Sequence, residues 1–152
     1  MDVLAAAILE RLTFLHDSMK TTLAALPDEA IDWSPAADVN SVAVLLTHVA
    51  GSERFWFGEK VGGISAQRDR SAEFKVLGAD RIELVALLDA ALGLAAQVME
   101  RLAPSDLSRP AGVAGNGAPY DVAWALQHAL EHVAVHTGHV ELMRQWWENR
   151  AS

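Results

Sequence analysis

Four of the six histidines fall within QHALEHVAVHTGHVELMRQ, at positions 128, 132, 136 and 139. On a helix, a step of four residues advances the direction of the side chain by only about 40°. His128, His132 and His136 therefore drift slowly around one face, and His139 projects between the first two. Neutral imidazoles that converge on one point suit a divalent ion, with nitrogens about 2.0–2.1 Å from the metal. Neighbours four apart can share an ion, whereas His128 and His136 lie about 12 Å apart along the axis and cannot. The spacing predicts two adjacent ligands from this helix and a third from another, for which His48 in the apolar run VLLTHVAG is the candidate. A lone histidine in an apolar helix is ordinarily a hydrogen-bonded core residue. Four aligned imidazoles buried without partners would be costly, so the stripe reads as metal-binding. HALEH also matches H-x-x-E-H, in which His128 and His132 would bind zinc and Glu131 would act as base. Glu131 alternatively lies where it could accept a ring N–H. Metal binding needs neutral imidazoles, so uptake is expected to fall below about pH 6.5, the ordinary histidine pKa.

Helices must position these residues. Leu4, Ile8, Leu12, Leu15, Met19, Leu23 and Leu26 alternate steps of three and four, which predicts a first helix from Asp2 to Leu26, stopped by Pro27. Asn40 is the expected N-cap of a second helix, from Ser41 to Phe57, closed by Gly58 and Gly62-Gly63. Asp80 with Glu83 forms a capping pair for a third, from Arg81 to Leu102. Pro119 or Asp121 opens the last, which runs to Glu148. Residues 62–77 and the Gly/Pro-rich SDLSRPAGVAGNGAPY read as surface loops. Long helical stretches without alternating strands predict an all-α, four-helix bundle as a single domain over residues 1–152. Glu53 and Arg54 read as a surface pair, Trp56 as a core residue, and His16 as a neighbour of Leu12 and Leu15 on the first helix.

About half of the 152 residues are apolar, enough for a substantial core, and the net charge is −8. With no basic patch, neither nucleic acid nor an anionic membrane surface is an expected partner. The absence of cysteine removes thiolate ligands, disulfides and cysteine nucleophiles together. MDVLAAAILERLTF lacks a basic n-region and does not read as a signal peptide. No uncharged apolar run reaches the length of a membrane span, and a cytoplasmic location is expected.

WSPAADVNSVAVLLTHVAGSERFW and HALEHVAVHTGHV together resemble the DinB superfamily (the DinB/YfiT-like metalloenzymes), over nearly the whole chain. The resemblance implies a four-helix bundle, frequent homodimers and a three-histidine metal site made of His48, His132 and His136. His128 matches a position that often holds histidine without ligating. His139 stands where the family commonly has Gln, and Thr137 where it often has Arg. The superfamily includes transferases and isomerases that use low-molecular-weight thiols such as mycothiol or bacillithiol. The resemblance thus implies a metal-dependent thiol S-transferase acting on a small-molecule substrate. A metal-dependent hydrolase and a non-catalytic, metal-stabilised bundle are the alternatives. Three histidines plus water suit Zn²⁺, with Ni²⁺, Fe²⁺ and Mn²⁺ also compatible.

Overall fold

In the computed structural model, which describes residues 1–150, Asp2 opens α1 (Val3–Ala25) by accepting a hydrogen bond from the Leu4 amide. Ile8, Leu12, Leu15, Met19 and Leu23 of α1 are buried, as the three-four periodicity requires. Pro27 stops the helix. The chain then makes a single helical turn, α2 (Asp28–Ile31). Arg81 secures this corner: its guanidinium donates to the carbonyls of Leu23 and Leu26 and pairs with Asp28 at 2.7 Å. The Leu26 carbonyl, which the end of α1 would otherwise leave open, is thereby satisfied, and the Leu23 carbonyl, which also accepts from the Leu26 amide, gains a second donor.

The second long helix, α3 (Val42–Glu53), is capped by Ser41, not Asn40: the Ser41 hydroxyl accepts from the Val44 amide. It does not end at Phe57. Its backbone widens into a π-helical segment, Arg54–Val61, that runs on to Gly62. The wider turn keeps Phe57, Gly58 and Val61 buried together, and the Gly62 amide closes it with a bond to the Phe57 carbonyl at 2.9 Å. The charged stretch that follows is only partly a loop. It contains α4 (Arg70–Glu73), opened by Asp69, whose carboxylate accepts from the Ala72 amide.

The capping box forms as expected, with Asp80 and Glu83 bonding reciprocally at the start of α5 (Arg81–Arg101). Among the described residues, α5 is the one helix long and apolar enough to cross a membrane, with a mean hydropathy of 1.8 over its best window. Here Leu84, Leu88, Ala91, Ala95, Val98 and Met99 pack into the core, and Asp89 on its outer face pairs with Lys20 at 3.0 Å. The Gly/Pro-rich connection forms a 3₁₀ turn (Pro104–Ser108) and a small antiparallel hairpin, β1 (Pro110–Val113) with β2 (Pro119–Asp121). Its tight turn uses Gly117 at φ +84°, a conformation that glycine adopts without steric cost. Asp121 then caps α6 (Val122–Asn149) through the Trp124 amide.

The four long helices form a bundle. α1 packs on α5 and α6, and α3 packs on the same two, so α1 and α3 lie diagonally opposed. The fold is all-α apart from the hairpin. Trp33 meets Trp147 edge-on, with ring centroids 5.5 Å apart, and fixes the 32–40 connection against the end of α6.

Candidate metal centre

On α6 the core stripe comprises Ala125, Leu126, Ala129, Val133, Val140 and Met143. His132 and His136 flank it half-buried, one turn apart, facing α3. α3 is buried on almost every side because α4 covers the face that the bundle leaves open, and His48 is buried there with it. His48, His132 and His136 each offer one ring nitrogen, and these three atoms lie within 4.8 Å of one another. His48 Nε2 and His132 Nε2 are 3.1 Å apart. Two nitrogens about 2.0–2.1 Å from one tetrahedral ion would be separated by about 3.3–3.4 Å, so a small adjustment accommodates a cation. His132 Nδ1 is buried with no hydrogen-bond partner. Only Nε2 of that ring has a neighbouring donor set to join.

Burial holds the His132 pKa down at about 3, assisted by the repulsion it would feel, once protonated, from His136, His48, His128 and Arg68. Burial, then His48 and His139, hold His136 at about 4. Both rings are therefore neutral at neutral pH. The donor set is all-nitrogen and suits a borderline divalent ion such as Zn²⁺.

A carboxylate braces the cluster from behind. Glu73 Oε2 lies 2.9 Å from His48 Nδ1. Arg68 grips the same carboxylate with two bonds, Nε to Oε1 at 2.6 Å and Nη2 to Oε2 at 2.8 Å. Burial pushes the Glu73 carboxyl up, but the hydrogen bonds from Arg68 and His48 outweigh it and hold the group below its ordinary range. In sequence both residues lie within 62–77, the stretch expected to be a surface loop. The stretch has no helical period to reveal its burial, and the one local sign is Asp69, a capping residue three positions before Ala72.

The remaining histidines separate from the cluster. His128 stacks on Trp124 with centroids 4.9 Å apart and rings 7° from parallel, and it also meets Trp56 at 4.6 Å. It belongs to an aromatic group with Tyr120 that adjoins the site. Glu131 is exposed and accepts from Gln127 at 3.3 Å, so the H-x-x-E-H arrangement does not assemble. His139 is exposed, with Nδ1 3.3 Å from His136 Nδ1, at the edge of an apolar cleft of about 320 Å³ lined by Val39, Leu45, Leu142, Met143 and Trp146. His16 does not face the site. It pairs with Glu53 at 2.6 Å, both fully buried, so Glu53 is not the surface residue expected from its neighbour Arg54. Arg54 instead donates to the Ala66 carbonyl at 2.6 Å.

This chain belongs to the DinB superfamily, whose family model matches residues 11–140. Two solved structures share its fold. One is a conserved protein from Enterococcus faecalis, 20% identical, covering 95% of this chain and 96% of its own, with a TM-score of 0.75. The other is a DinB-like protein from Bacillus subtilis, 17% identical, covering 93% and 92%, with a TM-score of 0.71. No curated protein matches the chain.

Proposed function

We propose that the chain binds one divalent metal through His48, His132 and His136 and serves as a metal-dependent S-transferase for a low-molecular-weight thiol of the mycothiol or bacillithiol type. The observation that carries this reading is the donor set: three imidazoles with no carboxylate among them, two of which, His132 and His136, burial keeps neutral. An ion held so would keep its full +2 charge and lower the pKa of a bound thiol or water. The chain has no cysteine, so the thiol must come from a separate molecule. In the transfer, the thiolate sulfur bonds to an electrophilic carbon of the substrate, the leaving group departs with its electron pair, and the thiol proton passes to solvent. The aromatic group of Trp56, Trp124 and His128 on one side and the Leu142–Trp146 cleft on the other would flank the substrate. A homodimer in the cytoplasm completes the proposal.

Hydrolysis would use the same ion, but Glu131, the base that its motif suggests, is exposed and engaged with Gln127. Elemental analysis of untagged protein, followed by a screen of thiols against a fluorogenic alkylating electrophile, tests the reading. About one equivalent of metal and turnover with one thiol are expected. Metal with thiol-independent ester cleavage would establish the hydrolase instead, and metal with neither activity would leave a metal-stabilised bundle.

A further inference from the structure

We propose that Glu73, clamped by Arg68, is a positioning residue that makes His48 a metal ligand by holding its proton on Nδ1 and leaving the Nε2 lone pair facing His132 and His136. The proposal rests on the metal reading above, but its first consequence concerns the metal-free protein. A neutral imidazole has one N–H and one lone pair, and the partner of one nitrogen decides what the other can do. Two groups approach His48 Nδ1: Glu73 Oε2 at 2.9 Å, and Arg68 Nη2 at 3.4 Å. They demand opposite tautomers. The arginine as donor would require the lone pair on Nδ1 and put the proton on Nε2, where a cation could not bind. The carboxylate as acceptor requires the reverse. Distance favours the carboxylate, and Arg68 already donates from Nε and Nη2 to the two Glu73 oxygens.

The surrounding backbone is shaped to this contact. Gly51 lies one turn beyond His48 on α3, and a Cβ there would overlap the Glu73 carboxylate. Any larger residue there would force the carboxylate to shift from its present position. Gln67, immediately before Arg68, adopts the left-handed backbone conformation at φ +45°, the one non-glycine among the described residues to do so. Such a conformation persists only where its surroundings enforce it. On the same strap, Phe74 packs against the His48 ring with centroids 4.8 Å apart. Residues 67–74 therefore hold the ring by its proton and by its face. A carboxylate behind a ligating histidine orients the ring and raises its basicity, and its loss typically weakens metal binding about 10–100-fold.

Nitrogen-15 NMR of the labelled, metal-free protein at pH 8 reads the tautomer, and zinc affinity is read by competition with a chromophoric chelator. Wild type is expected to show His48 protonated at Nδ1. Glu73→Ala should lose that tautomer preference and about 10–100-fold in zinc affinity, with Glu73→Gln losing less because it keeps an acceptor oxygen. A residue that merely held the strap in place would lower the melting temperature without moving the tautomer. If Glu73→Ala does not fold, Glu73→Met, which keeps the bulk and removes the acceptor, carries the same two readouts. A folded Glu73→Ala or Glu73→Met that keeps the Nδ1–H tautomer and zinc affinity within twofold of wild type overturns the proposal, as does wild-type His48 protonated at Nε2. Failure of wild type to bind zinc, with the Nδ1–H tautomer intact and Glu73-dependent, would sink the metal reading while leaving the positioning role in place.

Discussion

His132 and His136 are half-buried beside other imidazoles, and their pKa values of about 3 and about 4 follow from that crowding. Neither ring competes for protons at the ordinary histidine pKa of about 6.5, so proton competition at these two ligands begins only near pH 4. For these two rings the fall in uptake is therefore predicted near pH 4 rather than at 6.5, because burial, absent from any sequence pattern, sets the value. Stability follows with a definite sign. Between about pH 6.5 and 4 the unfolded chain takes up protons at these positions and the folded one does not. The metal-free protein should therefore lose stability as pH falls through that window and gain nothing further above it. Urea unfolding at pH 7.5 and pH 5 checks this, and His132→Asn should flatten the difference. Metal occupancy divides the histidines: His48→Ala, His132→Ala and His136→Ala are expected to empty the site, whereas His128→Ala, whose ring stacks on Trp124, should keep most of the metal by elemental analysis. Spacing alone made the α6 stripe visible, because i and i+4 positions are local neighbours. Glu73 was invisible. Its partner is 25 positions away, and its burial depends on a notch at Gly51.

Helices α1 and α3 are diagonal in the bundle, yet His16 and Glu53 join them at 2.6 Å inside the core. His16 Nδ1 and Glu53 Oε1 have no other protein partner, so each side chain depends on the other. Replacing one leaves its mate buried and unpaired, which costs on the order of 3 kcal/mol. His16→Leu should lower the urea midpoint by a corresponding amount, and His16→Leu with Glu53→Leu should recover much of it, since an apolar pair of similar volume replaces the polar one. A double-mutant cycle with no coupling would show that the pair is not what ties these helices. The ends of α1, α5 and α6 were readable to within a residue or two, because periodicity and caps such as Asp80 with Glu83 are local signals. The α3 continuation was not. Beyond Glu53 the π-helical turn changes the angle per residue, so positions read on a wheel of 3.6 no longer point where that wheel puts them. Short strands and a single-turn helix among Gly, Pro and charged residues leave no period at all, so α4 and the hairpin are indistinguishable from loops in the sequence.

The all-α bundle was legible because twenty-residue apolar periods leave few other architectures. Solved structures only 17–20% identical share the fold, so pattern rather than residue identity specifies it. What the pattern does not specify is the tie between helices. The proposed site joins α3 to α6 through one ion, so occupancy should act on the stability of the whole molecule. A ligand that binds the folded form alone adds about 2.7 kcal/mol at a hundredfold excess over its Kd. For a domain of this size each kcal/mol moves Tm by about 2–4 °C, so zinc should raise Tm by about 5–11 °C. A chelator should reverse the rise. His48→Ala should abolish it, because α6 alone then supplies two ligands and no longer reaches across. His128→Ala should preserve it. Calorimetry of the metal-free and zinc-loaded forms measures the difference directly. Stoichiometric zinc with a shift below about 1 °C would mean that the ion binds the unfolded chain equally well, and the bridge between α3 and α6 would have to be abandoned.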